Sequence, residues 1–361
     1  MSTETPLAPI GSTSAASPGP VQTQRRLPRF AAAGLFLAGV AVGALLSALT
    51  GFSLALTVLY GVVLGTLAVY AVSRQVEGRR KATDRLVTSL VSTAFAIAMV
   101  PLLSLVYTVL DRGLARLDAS FFTNSMFRVV GEGGGAYHAI VGTVLITALT
   151  TLIAVPIGLL TAIYLVEYGT GRLKKAITFF VDVMTGIPSI VAGLFAFALF
   201  TLLFGNDVRL GLMGSVALAV LMIPVVVRSC EEVLKLVPNE LREAAYALGV
   251  PKWRTVVKVV LPTAIAGLGT GITLAVARVI GETAPLLITV GLITGTNFNP
   301  FEGRMATLPV FAYYQLTQPG TATQAFIDRA WTAALVLIML VMGLNVVARL
   351  ISRLFAPKTG R

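Results

Sequence analysis

One cysteine, Cys230, one histidine, His138, and charged side chains at only 12% of 361 positions are the scarcities of this chain. A lone thiol excludes a disulfide framework and a cysteine-based zinc site. Its place at the end of an apolar run, between Arg228 and Glu231, makes Cys230 a small packing residue. A lone imidazole excludes a histidine-rich metal centre, and no other ligand cluster is evident. No GK[ST] sequence occurs, so the glycine triplet before His138 is not a nucleotide loop, and any ATP must bind another chain.

Few charges leave much apolar surface. The chain is 56% hydrophobic, with a mean hydropathy of +0.86, more than a water-soluble domain can bury. The reading is an all-α polytopic membrane protein. Eight apolar stretches, 31–49, 54–73, 87–110, 139–166, 178–204, 211–228, 264–290 and 331–352, are mostly near or above the ~20 residues needed to cross a bilayer. The first two form a helical hairpin, 31–73. Ahead of them lies a cytoplasmic tail, 1–30, disordered over the Ser-, Thr-, Pro- and Ala-rich 1–24. Arg25-Arg26 before an apolar run resembles a secretion signal, but the run leads straight into another span and reads as an uncleaved helix.

A net charge of +12 suggests either nucleic acid or loops oriented in a membrane. With the amino terminus inside, 21 of the 28 Lys and Arg residues fall on the inner side and six outside, leaving Arg278 within a span. That asymmetry predicts cytoplasmic termini and explains the charge without nucleic acid.

Between spans six and seven lies a long inner segment, 229–262. Asn239 reads as an N-cap after Pro238, and Leu241, Ala245 and Leu248 as one apolar stripe. Gly249 stops this helix and Pro251 opens a second one, amphipathic and fit to lie along the inner membrane surface, which Pro262 ends. The pattern Glu243-Ala244-Ala245, Gly249, Val259, Leu261-Pro262 resembles the EAA loop of ABC-importer permeases. Together with "IPSIVAGLF" (187–195) and "ARVIGETAPLL" (277–287), it is similar to PstA-type permeases of phosphate importers over residues 85–355. The resemblance implies a six-helix type I ABC-importer core, to which the hairpin is an addition. It also implies a bacterial cytoplasmic membrane location and a coupling elbow that includes Glu243, Ala244, Ala245, Gly249, Pro251, Leu261 and Pro262. The implied partners are a homologous PstC-type permease, a PstB-type ATPase dimer carrying ATP and Mg, and a PstS-type phosphate-binding protein. The permease itself then holds no cofactor, does no covalent chemistry and contacts membrane lipid and inorganic phosphate.

Arg278 and Glu282 interrupt the seventh span, at about 2.5–3.5 kcal/mol for each charge at a helix centre. On a continuous helix they share a face. Three readings stand: a neutralising pair, an aqueous oxyanion path lined by Arg278, or a proton relay. The resemblance raises the second. Thr283 reads either as a further contact or as bonded to a carbonyl of its own helix, and Arg228 as an inner topology anchor or part of the exit. Glu282 could accept the proton that phosphate retains and sulfate lacks. The alternatives in substrate and class are a sulfate or molybdate permease and a stand-alone ion-coupled carrier. Asp182 reads as structural, Pro285 as a kink, and Phe311, Tyr313 and Tyr314 as an outer docking face or an interfacial belt.

Overall fold

The computed structural model describes residues 27–28, 30–49 and 53–355, and their regular structure is entirely helical. Most of the predicted tail lies outside these residues, as do 50–52 of the hairpin turn. The chain divides within one long helix into two compact units, 1–104 and 105–361.

The first unit contains α1 (Ala31–Leu49), α2 (Leu54–Val76) and the start of α3 (Arg79–Gly113). Glycines let α1 and α2 pack at backbone contact. A Cβ on Gly39 would lie 2.4 Å from the Gly65 Cα, and one on Gly43 would lie 2.5 Å from the Gly61 nitrogen. Small residues at this spacing permit close approach where lipid supplies no hydrophobic drive. Ser47 and Thr57 share a hydrogen bond of 2.6 Å near the turn.

In the second unit, α4 (Ala119–Thr123) precedes α5 (Tyr137–Ile163), which ends in a π-turn over Tyr164–Tyr168. Then come α6 (Gly171–Thr185), α7 (Ser189–Phe204), α8 (Gly211–Lys235) and α9 (Asn239–Ala247). The remainder is α10 (Lys252–Thr255), α11 (Leu261–Val279), α12 (Ala284–Thr289), α13 (Leu308–Thr317) and α14 (Thr323–Phe355). The core lies where α5, α8 and α11 meet, around Ile146, Ala154, Met222, Val226, Leu234, Val260 and Ala275. Cys230 is buried there as packing. Many threonines in the spans satisfy their hydroxyls on their own helices; Thr150 donates to the Ile146 carbonyl at 2.8 Å.

Among the described residues, seven helices are long and apolar enough to cross a membrane, or eight if α6 and α7 form one broken span. They meet at 107° across Gly186–Pro188, a break in span five. Span seven departs further from expectation. Pro262 does not end a surface helix, because Lys252–Val279 runs on as one 28-residue helix. A π-turn over Val256–Val260, in which the Leu261 N–H reaches the Val256 carbonyl, makes room for the proline ring that an α-turn would clash with. The same helix stops at Val279 rather than continuing to 290. Pro285 cannot donate to the carbonyl of Gly281, itself a weak helix former, and the chain restarts as α12 with proline in its first turn.

Candidate functional site

Two helix breaks, at 186–188 and 280–283, and the mid-helix Pro224 converge on one cavity of about 210 Å³. Irregular backbone at membrane depth is tolerated where it lines a cavity. Arg278 and Glu282 both face this space, along with Thr185, Ile187, Ser189 and Pro224. Leu221, Val225, Val279 and Met184 complete the wall.

Arg278 and Glu282 therefore meet by a route other than the predicted one. Glu282 lies beyond the end of α11, so the shared helical face does not exist. The break carries Glu282 to the same cavity, and among the described residues no ion pair joins the two. Nor does Arg278 have another hydrogen-bond acceptor there, in contrast to Arg242 and Arg329, whose guanidiniums are anchored. Thr283 occupies the N-cap position of α12 and is not part of the cavity wall.

Ser189 was not singled out from sequence. It is the first residue of α7, so the helix end with its unsatisfied N–H groups opens onto the cavity. The signal was present in "TGIPS": a glycine stop, then proline, then serine inside an apolar run.

Arg228 lies one turn beyond Pro224 on α8, ion-paired with Asp182 of α6 and, at 2.7 Å, with Glu231. Asp182, read as structural, is thus an ion-pair partner for Arg228. Arg228 bridges α6 to α8 beside the cavity rather than lining it.

The elbow is the second site. Pro238, not Asn239, takes the N-cap position of α9. Arg242 holds the helix in place: its Nε and one terminal nitrogen donate to the Glu167 carboxylate at 3.0 and 2.8 Å. It also donates to the carbonyls of Val237 at 2.6 Å and Leu234 at 3.0 Å. At the far end, Val250 N–H reaches the Ala245 carbonyl and Gly249 N–H the Tyr246 carbonyl, with Gly249 at φ +73°. This Schellman closure needs a left-handed residue, which glycine supplies. Of the predicted stripe only Ala245 is buried; Leu241 is exposed, and Leu248 stands 83% exposed at the tip. Glu243 and Ala244 share that open side. Pro251 is the N-cap of the following helix, and Leu261 and Pro262 lie within it.

On the predicted outer side, α13 carries Phe311, Tyr313 and Tyr314. Phe311 is buried against the His138 ring at 5.3 Å, so it belongs to the core rather than a docking face, whereas Tyr313 is exposed. Arg329, fully buried, donates to the carbonyls of Gly131 and Gly133 at 2.8 and 2.9 Å and fixes the glycine-rich loop.

Residues 154–361 match the family described as the binding-protein-dependent transport system inner membrane component. With this helical architecture, the match defines the class: a membrane component of a binding-protein-dependent transporter. The chain is 46% identical over 276 residues to the phosphate transport system permease protein PstA 1 of Mycobacterium tuberculosis, covering 76% of this chain and 88% of that one. It is 38% identical over 274 residues to PstA of Pasteurella multocida, covering 75% and 95%. The chain belongs to the PstA family of transport permeases. A solved bacterial alginate ABC transporter shares the fold, with a TM-score of 0.53 at 14% identity over 77% of this chain and 97% of that one.

Proposed function

We propose that this chain is the permease subunit of an ATP-driven importer that carries inorganic phosphate across the bacterial cytoplasmic membrane, with both termini inside. The observation that carries the reading is the cavity at two helix breaks, which presents a guanidinium with no partner among the described residues, a serine, a helix N-terminus and one carboxylate. Arg278 offers a planar fork of donors that matches two oxygens of an oxyanion. Ser189 and the α7 end add donors from the other wall. Glu282 accepts the proton that phosphate still carries near neutral pH and repels a fully deprotonated anion such as sulfate.

The ATPase is a separate chain, PstB-type, and holds the ATP and Mg. The open side of α9, with Glu243, Ala244 and Leu248, is the surface it grips, and Arg242–Glu167 transmits the force to α5. A PstC-type permease completes the path from the other side, and a PstS-type protein delivers phosphate from outside. The stand-alone carrier reading is not favoured, since it gives no role to the elbow. Arg228, tied to Asp182, marks the inner end of the route.

Uptake in cells that depend on this chain for phosphate tests the reading. Excess phosphate competes with the labelled ion, and sulfate and molybdate do not. Glu282→Gln lets sulfate compete, on the order of tenfold better than in the wild type, the scale of one hydrogen bond to a charged group. Equal competition by all three anions in the wild type removes phosphate as the cargo; unchanged sulfate exclusion in Glu282→Gln removes the role given to Glu282.

A further inference from the structure

The amino-terminal hairpin takes no part in the transport path described above, yet with the first turns of α3 it builds two contiguous hollows. The first, about 490 Å³, is polar: Glu77, Lys81, Asp84 and Arg85 line it. The second, about 330 Å³, includes Phe36 of α1, Val69 of α2 and Ala96 of α3. Both share Ala32, Val69, Thr88 and Ser89, so one opens into the other.

The charges divide unevenly between internal and available. Glu77 is consumed within the chain: Arg85 Nε lies 2.7 Å from it, and the Ser73 hydroxyl and Leu27 N–H each donate to it at 2.9 Å. Lys81 and Asp84 have no ion-pair or hydrogen-bond partner among the described residues. The hollow thus offers one free cation and one free anion, with no net charge. Beyond them on the same face of α3 come Thr88, Ser89, Ser92 and Thr93, also without hydrogen-bond partners among the described residues. The threonines elsewhere in the spans contrast with this, since most bond to their own helices.

We infer that this groove binds one diacyl phospholipid with a phosphoethanolamine headgroup. Lys81 meets the phosphate and Asp84 the ammonium; the hydroxyls of Thr88 and Ser89 donate to the ester carbonyls, and an acyl chain follows Phe36, Val69 and Ala96. The opposed pair distinguishes this occupant from an anionic lipid, whose headgroup would leave Asp84 facing like charge. A free phosphate or phosphoethanolamine would leave the apolar slot empty.

The intact transporter, purified from membranes holding both phosphatidylethanolamine and phosphatidylglycerol, is examined by native mass spectrometry for retained lipid. The wild type retains phosphatidylethanolamine over phosphatidylglycerol by about tenfold, the scale of one charge-assisted contact. Asp84→Asn loses that preference, Lys81→Gln loses retention of both, and Ala96→Leu, which fills the slot and leaves the charges intact, loses retention as well. Soluble phosphoethanolamine does not displace the lipid. The proposal is overturned if phosphatidylglycerol is retained equally, if Asp84→Asn or Ala96→Leu retains lipid as the wild type does, or if the soluble headgroup displaces it.

Discussion

Arg242 donates to the Glu167 carboxylate and to two backbone carbonyls, whereas Arg278 lines a cavity and has no bonded acceptor among the described residues. On the proposed reading, the difference separates scaffold from machinery. Glu167 is buried, so Arg242→Ala strands a carboxylate and lowers stability by about 3–5 kcal/mol, seen as a fall in the thermal unfolding midpoint in detergent. An unchanged midpoint would remove the clamp from the account. Glu77 gives a pH signature. Burial alone would raise its pKa, but the Leu27 N–H, Arg85 and Ser73 outweigh this and bring it from an ordinary 4.5 down to about 2. The folded value is depressed, so its contribution is complete above the ordinary value and is lost as pH falls toward about 2. Glu77→Gln flattens the stability profile through that acid window. Charges inside apolar runs were legible from sequence, because hydrocarbon makes them conspicuous. The Arg242–Glu167 pair was not, because the partners stand 75 residues apart and each reads as an ordinary interfacial charge.

Elements were legible where a single period governs them and illegible where two compete. The hairpin, α5 and α8 follow from apolar length alone. The π-turn before Pro262 and the break before Pro285 show one residue type with opposite outcomes. In the first, a widened turn admits the ring; in the second, Gly281 gives way and the helix ends. Sequence predicted a surface helix in one place and a continuous span in the other, since proline alone does not say which neighbour yields. The elbow was readable through Gly249, whose φ of +73° answers the stop signal. Its apolar stripe is only partly covered: Ala245 is buried, whereas Leu248 points out. That exposure carries a prediction. Leu248→Glu leaves the unfolding midpoint of the chain unchanged and strips the ATPase subunit from the purified complex. Retention of the ATPase would place the docking surface elsewhere.

At the scale of the whole molecule, hydropathy predicted a polytopic helical protein, and the described residues hold seven helices, or eight with the bent pair, long and apolar enough to span a membrane. The site was legible as a pair of residues and not as a place. Arg278 and Glu282 were read as neighbours on one helix, but they are brought together by a break and joined by Ser189 from another broken helix. Such a cavity depends on where helices stop, which a count of apolar residues does not register. On the reading proposed above, the Arg278 guanidinium, unpaired among the described residues, binds the transported anion in this cavity. ATP-driven accumulation of radiolabelled phosphate, by the assembled transporter in sealed vesicles, measures it most directly when Arg278→Gln is set beside the wild type. The account predicts a loss of at least about tenfold, with assembly and unfolding midpoint unchanged. Accumulation at the wild-type level would contradict it.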